Sequence, residues 1–292
     1  MSYLCYDVGG TFVKYATFDA QNHFLTKGKY PTHSDDPEQF FADMADIANQ
    51  NPDVEAIGIS FPGFIDVTTG VAVRAGALGQ LDGYNLIDHF KAHLTHKVPV
   101  AVENDAKCAA LAEGLNGNAQ GLDDYAVLTL GTGVGCGLVV NGKLVHGKHF
   151  RAGEYGMSVT DFTTRGFATL HDMASTSALV RAYAKLKGIA YEDASGEQLM
   201  GELADPAVNQ VVEDWADHVA VAIYNLVATT DPERILIGGG ISKNPKILPF
   251  IEAALEKNPF WVKDYRTPVV LCKHDNDAGL LGALAVAQQS AK

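Results

Sequence analysis

Val100-Ala-Val-Glu-Asn-Asp-Ala-Lys-Cys-Ala-Ala-Leu-Ala-Glu113 changes character in its middle. A short β-branched run ends in Glu103-Asn104-Asp105, and an Ala-rich segment with apolar residues at helical spacing begins at once. Asp105 therefore stands where a strand gives way to a helix. Open α/β sheets keep their ligands at such strand ends. An N-cap aspartate would suit the same position. The flanking sequence tilts the balance toward a ligand site, because a glycine turn able to hold a phosphate lies on each side: Asp7-Val-Gly-Gly-Thr11 before and Leu130-Gly-Thr-Gly-Val-Gly-Cys-Gly137 after.

Residues 3–7, 12–18 and 23–29 predict three successive strands, with Gly9-Gly10 and Gln21-Asn22 as the turns. Consecutive amides and the Thr11 hydroxyl then point into one small space, which suits a phosphate. Residues 125–130, 135–140 and 143–145 repeat the arrangement, with Asn141-Gly142 as a strong hairpin signal. The chain thus predicts two related halves, each offering a phosphate turn to a shared cleft. A third glycine stretch, Gly238-Gly239-Gly240, follows a buried-type strand at 234–237. Asp36-Pro37 opens a helix; further helices are expected at 86–94, 105–115, 170–187, 206–230, 245–257 and 276–286, with a strand at 268–272. Residues 68–83 read as loop with one short strand. Gly114, Gly117 and Gly121 break the pattern and mark a boundary. The expected division is an N-terminal lobe at 1–117, completed by the C-terminal helix 277–292, and a second lobe at 118–276.

Composition narrows the function. At 292 residues there is material for two cores, and 47% apolar with 20% charged residues describes an ordinary globular protein. A net charge of -13 repels polyanions, so nucleic acid is not an expected partner, although backbone amides and Mg²⁺ still allow a nucleotide. Cys5, Cys108, Cys136 and Cys272 are scattered and form no disulfide framework or metal-spaced cluster, which points to a reducing compartment. With no charged leader and no apolar run long enough for a bilayer, a cytoplasmic protein without a membrane partner is expected. Gly131, Gly133, Gly135 and Gly137 alternate and do not make a dinucleotide fingerprint. Both near matches to a P-loop lack the hydroxyl after lysine, since Lys143 is followed by Leu144 and Lys148 by His149.

Asp7-Val-Gly-Gly-Thr11, Gly58-Ile-Ser-Phe-Pro-Gly63, Glu103-Asn-Asp105, Gly131-Thr-Gly-Val-Gly135, Gly153-Glu154 and Gly238-Gly-Gly240, in this order and spacing, resemble the ROK family of sugar kinases over essentially the whole chain. The resemblance implies a two-lobed α/β fold of the actin-like ATPase (ribonuclease H-like) kind, each lobe a mixed β-sheet flanked by helices. It also implies ATP and Mg²⁺ as cofactors and a homodimer, with the second lobe as its interface. By position, Asp7 would hold Mg²⁺ through water, and Gly9, Gly10, Thr11, Lys14, Gly131, Thr132 and Gly133 would surround the phosphates. Gly238, Gly239 and Gly240 would border adenine and ribose. Gly63, Asn104, Asp105, Glu154 and His171 would line the sugar, with Asp105 as the base toward its 6-hydroxyl. Domain closure over the sugar is expected from such an architecture. Because the first strand begins at residue 3, the DNA-binding arm of repressor members is expected to be absent.

The sequence departs from the family on the sugar side. The family follows its glutamate with Gly-His and a Cys-rich zinc loop, whereas this chain has Glu154-Tyr-Gly-Met157 and no cysteine between Cys136 and Cys272. A tetrahedral zinc site of the usual kind is not expected. Thr169-Leu-His171-Asp-Met-Ala-Ser175 puts a histidine where the family has a sugar-binding glutamate. Similar zinc-free members include β-glucoside kinases, so glucose or a β-glucoside leads as the acceptor, ahead of N-acetylmannosamine and fructose. A non-catalytic sugar-binding or regulatory protein is the alternative of another class.

Overall fold

The structure is a computed structural model that describes residues 1–161 and 166–291. Met1–Leu115, His146–Ala152 and Asp277–Lys292 form one compact unit, and Asn116–Val145 with Gly153–Asn276 form the other. His146–Ala152 lies inside the span 118–276 yet packs with the first unit.

In the first unit β1 (Ser2–Val8), β2 (Phe12–Asp19) and β3 (Phe24–Pro31) form an antiparallel meander, followed by α1 (Pro37–Asn49) and β4 (Ala56–Phe61). The short pair β5 (Phe64–Asp66) and β6 (Val71–Arg74), then α2 (Leu86–Ala92), β7 (Val100–Asn104) and α3 (Asp105–Asn116) follow. The sheet order is β3-β2-β1-β4-β7, with β1, β4 and β7 parallel. Side chains alternate across a strand, so β1 serves two cores. Leu4, Tyr6 and Val8 pack with Phe40, Phe41 and Met44 of α1. Tyr3 and Cys5 pack on the other face with Leu280 and Leu284 of the last helix. Asp7 shares the parity of Tyr3 and Cys5, and therefore faces that helix.

The second unit repeats the plan. β8 (Tyr125–Leu130), β9 (Val134–Val140) and β10 (Lys143–Leu144) form the meander. After the small pair β11 (Val159–Asp161) and β12 (Ala168–Thr169) come α4 (Leu170–Ala174), α5 (Thr176–Lys187), α6 (Gly196–Gly201) and α7 (Pro206–Thr230). β13 (Arg234–Gly238), α8 (Ile247–Glu256) and β14 (Val269–Leu271) complete the unit, and α9 (Ala278–Ser290) closes the chain. The order β10-β9-β8-β13-β14, with β8, β13 and β14 parallel, matches the first sheet strand for strand. Val212, Trp215, Val219 and Ile223 of α7 anchor its core. The fold is thus the expected two-lobed α/β class, a mixed sheet flanked by helices in each unit.

Residues 170–187 form two helices where the periodicity predicts one. Ser175 is extended (φ -71, ψ 157) and its hydroxyl caps α5 by accepting from Ala178 N–H at 3.0 Å. With Ala178 N–H taken by that hydroxyl, the Ala174 carbonyl has no helical donor and accepts from the Trp215 indole N–H, which also reaches Ser175 O, while Ser175 O still accepts from Leu179 N–H at 3.2 Å. The pair β11–β12 and the short helix α6 are also additions to the sequence reading. Each is too short to carry a period.

Candidate active site

β7 ends in the first unit at Asn104, and α3 starts on the next residue. The cap of α3 is Asn104, whose Oδ1 accepts from Lys107 N–H at 3.1 Å. Both of its amide protons are also committed, one to Gly63 O and one to Asp105 Oδ1, each at 2.9 Å. Gly63 has φ +92 and a methyl there would overlap the Arg74 carbonyl, so only glycine brings its carbonyl to Asn104. Asp105 Oδ1 takes a second donor, Ala106 N–H at 2.8 Å. Among the described residues Oδ2 takes none. Capping is done by the neighbour, and one oxygen of Asp105 stays open.

Asp105 is densely surrounded by protein, yet the residue is solvent-exposed, so it sits in a recess that water still enters. Crowding lifts its carboxyl to about 6, the Ala106 amide opposes this, and the negative charge of Asp7 adds to it. Asp7 itself accepts from Lys14 Nζ at 3.0 Å and from Ser60 Oγ at 3.2 Å. Next to it, Gly9 N–H donates to Phe12 O at 3.0 Å, and Thr32 ties the turn down through Gly9 O and Thr11 O. Gly10 and Thr11 are left exposed at its tip.

In the second unit Gly131 N–H closes on Gly133 O at 2.9 Å, leaving Thr132 exposed. The start of α5 holds this turn, with the Thr176 hydroxyl on Leu130 O at 2.8 Å and Ser177 N–H on Gly131 O at 3.3 Å. Gly239, at φ +89, lies so close to the Leu130 backbone that a side chain would collide with it. The expected phosphate turn and the expected nucleoside glycines therefore meet. Beside them opens a cleft of ≈ 550 Å³ lined by Thr176, Glu197, Met200, Gly240, Lys243 and Asn244.

His171 turns toward the phosphate turn. Its Nδ1 accepts from Val134 N–H at 2.8 Å, and its ring fills the space above Gly133 and Gly156, where a methyl would strike it. Burial lowers its proton affinity, which matches a nitrogen that must stay bare. Glu154 opens the turn Tyr155–Met157, with Met157 exposed at its end. Glu154 and His171 belong to the second unit, and Gly63, Asn104 and Asp105 to the first.

Sequence reasoning missed four residues here. Ser60 is paired in parallel register with Asp7, and a strand pairing of 3–7 with 56–60 would have found it. Gly279 lies against the Asp7 carboxylate, where no side chain fits. Its signal was the small-residue spacing Gly279-Leu-Leu-Gly282. Glu103 and His146 form a 2.7 Å pair across 43 positions, for which local sequence offers no signal.

The ROK family profile matches residues 3–290. A β-glucoside kinase of Listeria monocytogenes is 34% identical over 97% of this chain and 96% of its own. A ROK family protein from Streptococcus pneumoniae, solved in complex with sucrose, superposes with TM-score 0.87 at 28% identity, covering 98% of this chain and 97% of that one. A ROK family glucokinase from Streptomyces griseus, in complex with glucose and AMPPNP, gives TM-score 0.82 at 26% identity, covering 99% and 100%.

Proposed function

The chain belongs to the ROK family, and on that premise we propose that it is an ATP-dependent sugar kinase transferring the γ-phosphoryl group to the 6-hydroxyl of a hexose, with glucose or a β-glucoside as acceptor. The observation that carries the reading is Asp105. It combines an open Oδ2, a carboxyl lifted to about 6 and an orientation fixed by Asn104. As the bond from sugar oxygen to phosphorus forms and the bond to the β-phosphate oxygen breaks, Asp105 Oδ2 accepts the hydroxyl proton and ADP leaves. The turns at Gly9–Thr11 and Gly131–Gly133 would hold phosphates through amides and the Thr11 and Thr132 hydroxyls. The cleft beside Gly240 would take the nucleoside. Asn104 has one lone pair left on Oδ1 for a sugar hydroxyl, so its larger part is holding Gly63 and Asp105 in place.

Mg²⁺ fits the residues present. Asp7 raises the proton affinity of Asp105, so the corner carries excess negative charge, and Lys14 is the cation that now balances Asp7. When bound, the ion would neutralise phosphate charge during transfer. Asp7 would hold it through water, and Lys14 would face a phosphate. Zinc has no part in this reading.

An ADP-release assay across glucose, β-glucosides, N-acetylmannosamine and fructose tests it. Turnover on glucose or a β-glucoside is expected, the other two being the alternative acceptors. Silence on every sugar, with sugar still bound, would favour a non-catalytic binding protein.

A further inference from the structure

Glu103 is a carboxylate in this corner that the transfer step does not use. It is 5% exposed and lies on the same sheet face as Asp7 and Ser60, since the parallel registers pair Asp7 with Ser60 and Ser60 with Glu103. Both of its oxygens are engaged. Oε1 accepts from Asn104 N–H at 2.8 Å, and Oε2 pairs with His146 Nε2 at 2.7 Å. A buried carboxylate loses hydration that only donors replace, and His146 supplies one of the two.

His146 comes from far along the chain. It opens the segment His146–Ala152, which packs in the first unit although Val145 before it and Gly153 after it belong to the second. Ala152 N–H donates to His146 O at 3.1 Å, so the segment closes on itself, and the Phe150 ring meets the imidazole at 6.3 Å. From Glu103 the contacts continue without a gap: the Asn104 peptide is held by Oε1, and the Asn104 amide fixes Asp105 Oδ1 and Gly63 O. A turn of the Glu103 carboxylate would tilt the peptide that carries these donors.

We propose that Glu103 and His146 are positioning residues for phosphoryl transfer: the seated His146–Ala152 segment fixes the Glu103 carboxylate, which fixes the Asn104 peptide and so the aim of Asp105. This role rests on Asp105 being the base, whereas the bond between the pair does not. Facing a carboxylate, Nε2 carries the proton, and a neutral His146 leaves Nδ1 bare.

Three variants assayed beside the wild type with hexose, ATP and Mg²⁺ over a range of pH provide the test. His146→Leu removes the donor and is expected to lower kcat about 10–100-fold while sugar KM stays within about threefold. His146→Gln keeps a donor and should recover most of kcat. Glu103→Gln accepts on one side only. A neutral His146 in its other tautomer can turn a bare nitrogen to the new amide, so kcat is expected to stay above that of His146→Leu. Wild-type kcat in His146→Leu, or equal loss in His146→Leu and His146→Gln, would overturn the role. Nitrogen NMR of the imidazole reads the pair without turnover: the Nε2–H signal should shift in Glu103→Ala, and an unmoved signal would refute the tie. A wild type silent on every sugar would sink the kinase reading and leave the NMR result standing.

Discussion

A carboxylate that takes a proton from an alcohol works best when its own proton affinity lies near the working pH. Asp105 reaches that condition through crowding and the nearby charge of Asp7, against the pull of its own hydrogen bonds. Sugar kcat/KM is therefore expected to fall as pH drops through about 6, and a flat profile there would contradict the assignment. The same shift has a stability consequence. The folded state holds this proton more tightly than the unfolded chain, so the stabilisation is complete below 3.8 and lost as pH rises through about 6. Asp105→Asn, neutral at every pH, should raise Tm near neutral pH and not in acid. A lowered Tm near neutral pH would refute this. His171 works with the opposite sign. Its lowered value means that the stabilisation is present above the ordinary histidine value and lost as pH falls through the lowered one, when Nδ1 gains a proton and faces Val134 N–H donor to donor. His171→Phe keeps a ring but strands a buried N–H, at a cost of about 1–3 kcal/mol in urea unfolding; no loss would show the bond to be dispensable. The sequence located Asp105 at a strand end. It left Asp105 undecided between an N-cap and a ligand-site carboxylate, because only the geometry at Lys107 shows that the cap is Asn104.

Elements explain why some residues at the site are small. Gly279 and Gly282 lie on the face of α9 that presses on β1 and α3, Gly279 against Asp7 and Gly282 against the Cys108 backbone. Alanine is the better helix former by about 1 kcal/mol, yet Gly279→Ala should displace Asp7 and lower activity. Gly201→Ala, in α6 with open space around it, should stabilise by about 0.4–1 kcal/mol. Equal activity in both variants would mean that α9 does not hold Asp7. The long elements were readable because their periods are long: α1 starts at Asp36-Pro37 as its cap signals predict, and α7 covers Pro206–Thr230 as its apolar face predicts. The break at Ser175 was not readable, since it depends on an indole forty positions away in the chain.

The whole molecule is one strand plan used twice, β3-β2-β1-β4-β7 and β10-β9-β8-β13-β14, with a glycine turn after the first strand of each. The duplication was legible because turn chemistry repeats in sequence at Gly9-Gly10-Thr11 and Gly131-Thr132-Gly133. The place of His146–Ala152 was not, because packing alone assigns that segment to the first unit. The contact of His171 with Val134 N–H and Gly133 likewise follows from neighbours that sequence spacing does not reveal. The proposed transfer turns on one group, the proton acceptor at residue 105. Its most direct test is turnover and sugar binding of Asp105→Asn beside the wild type, with the hexose that the wild type phosphorylates best. Expected is retained sugar affinity with kcat lower by about 10²–10⁴-fold; unchanged kcat would remove Asp105 as the base.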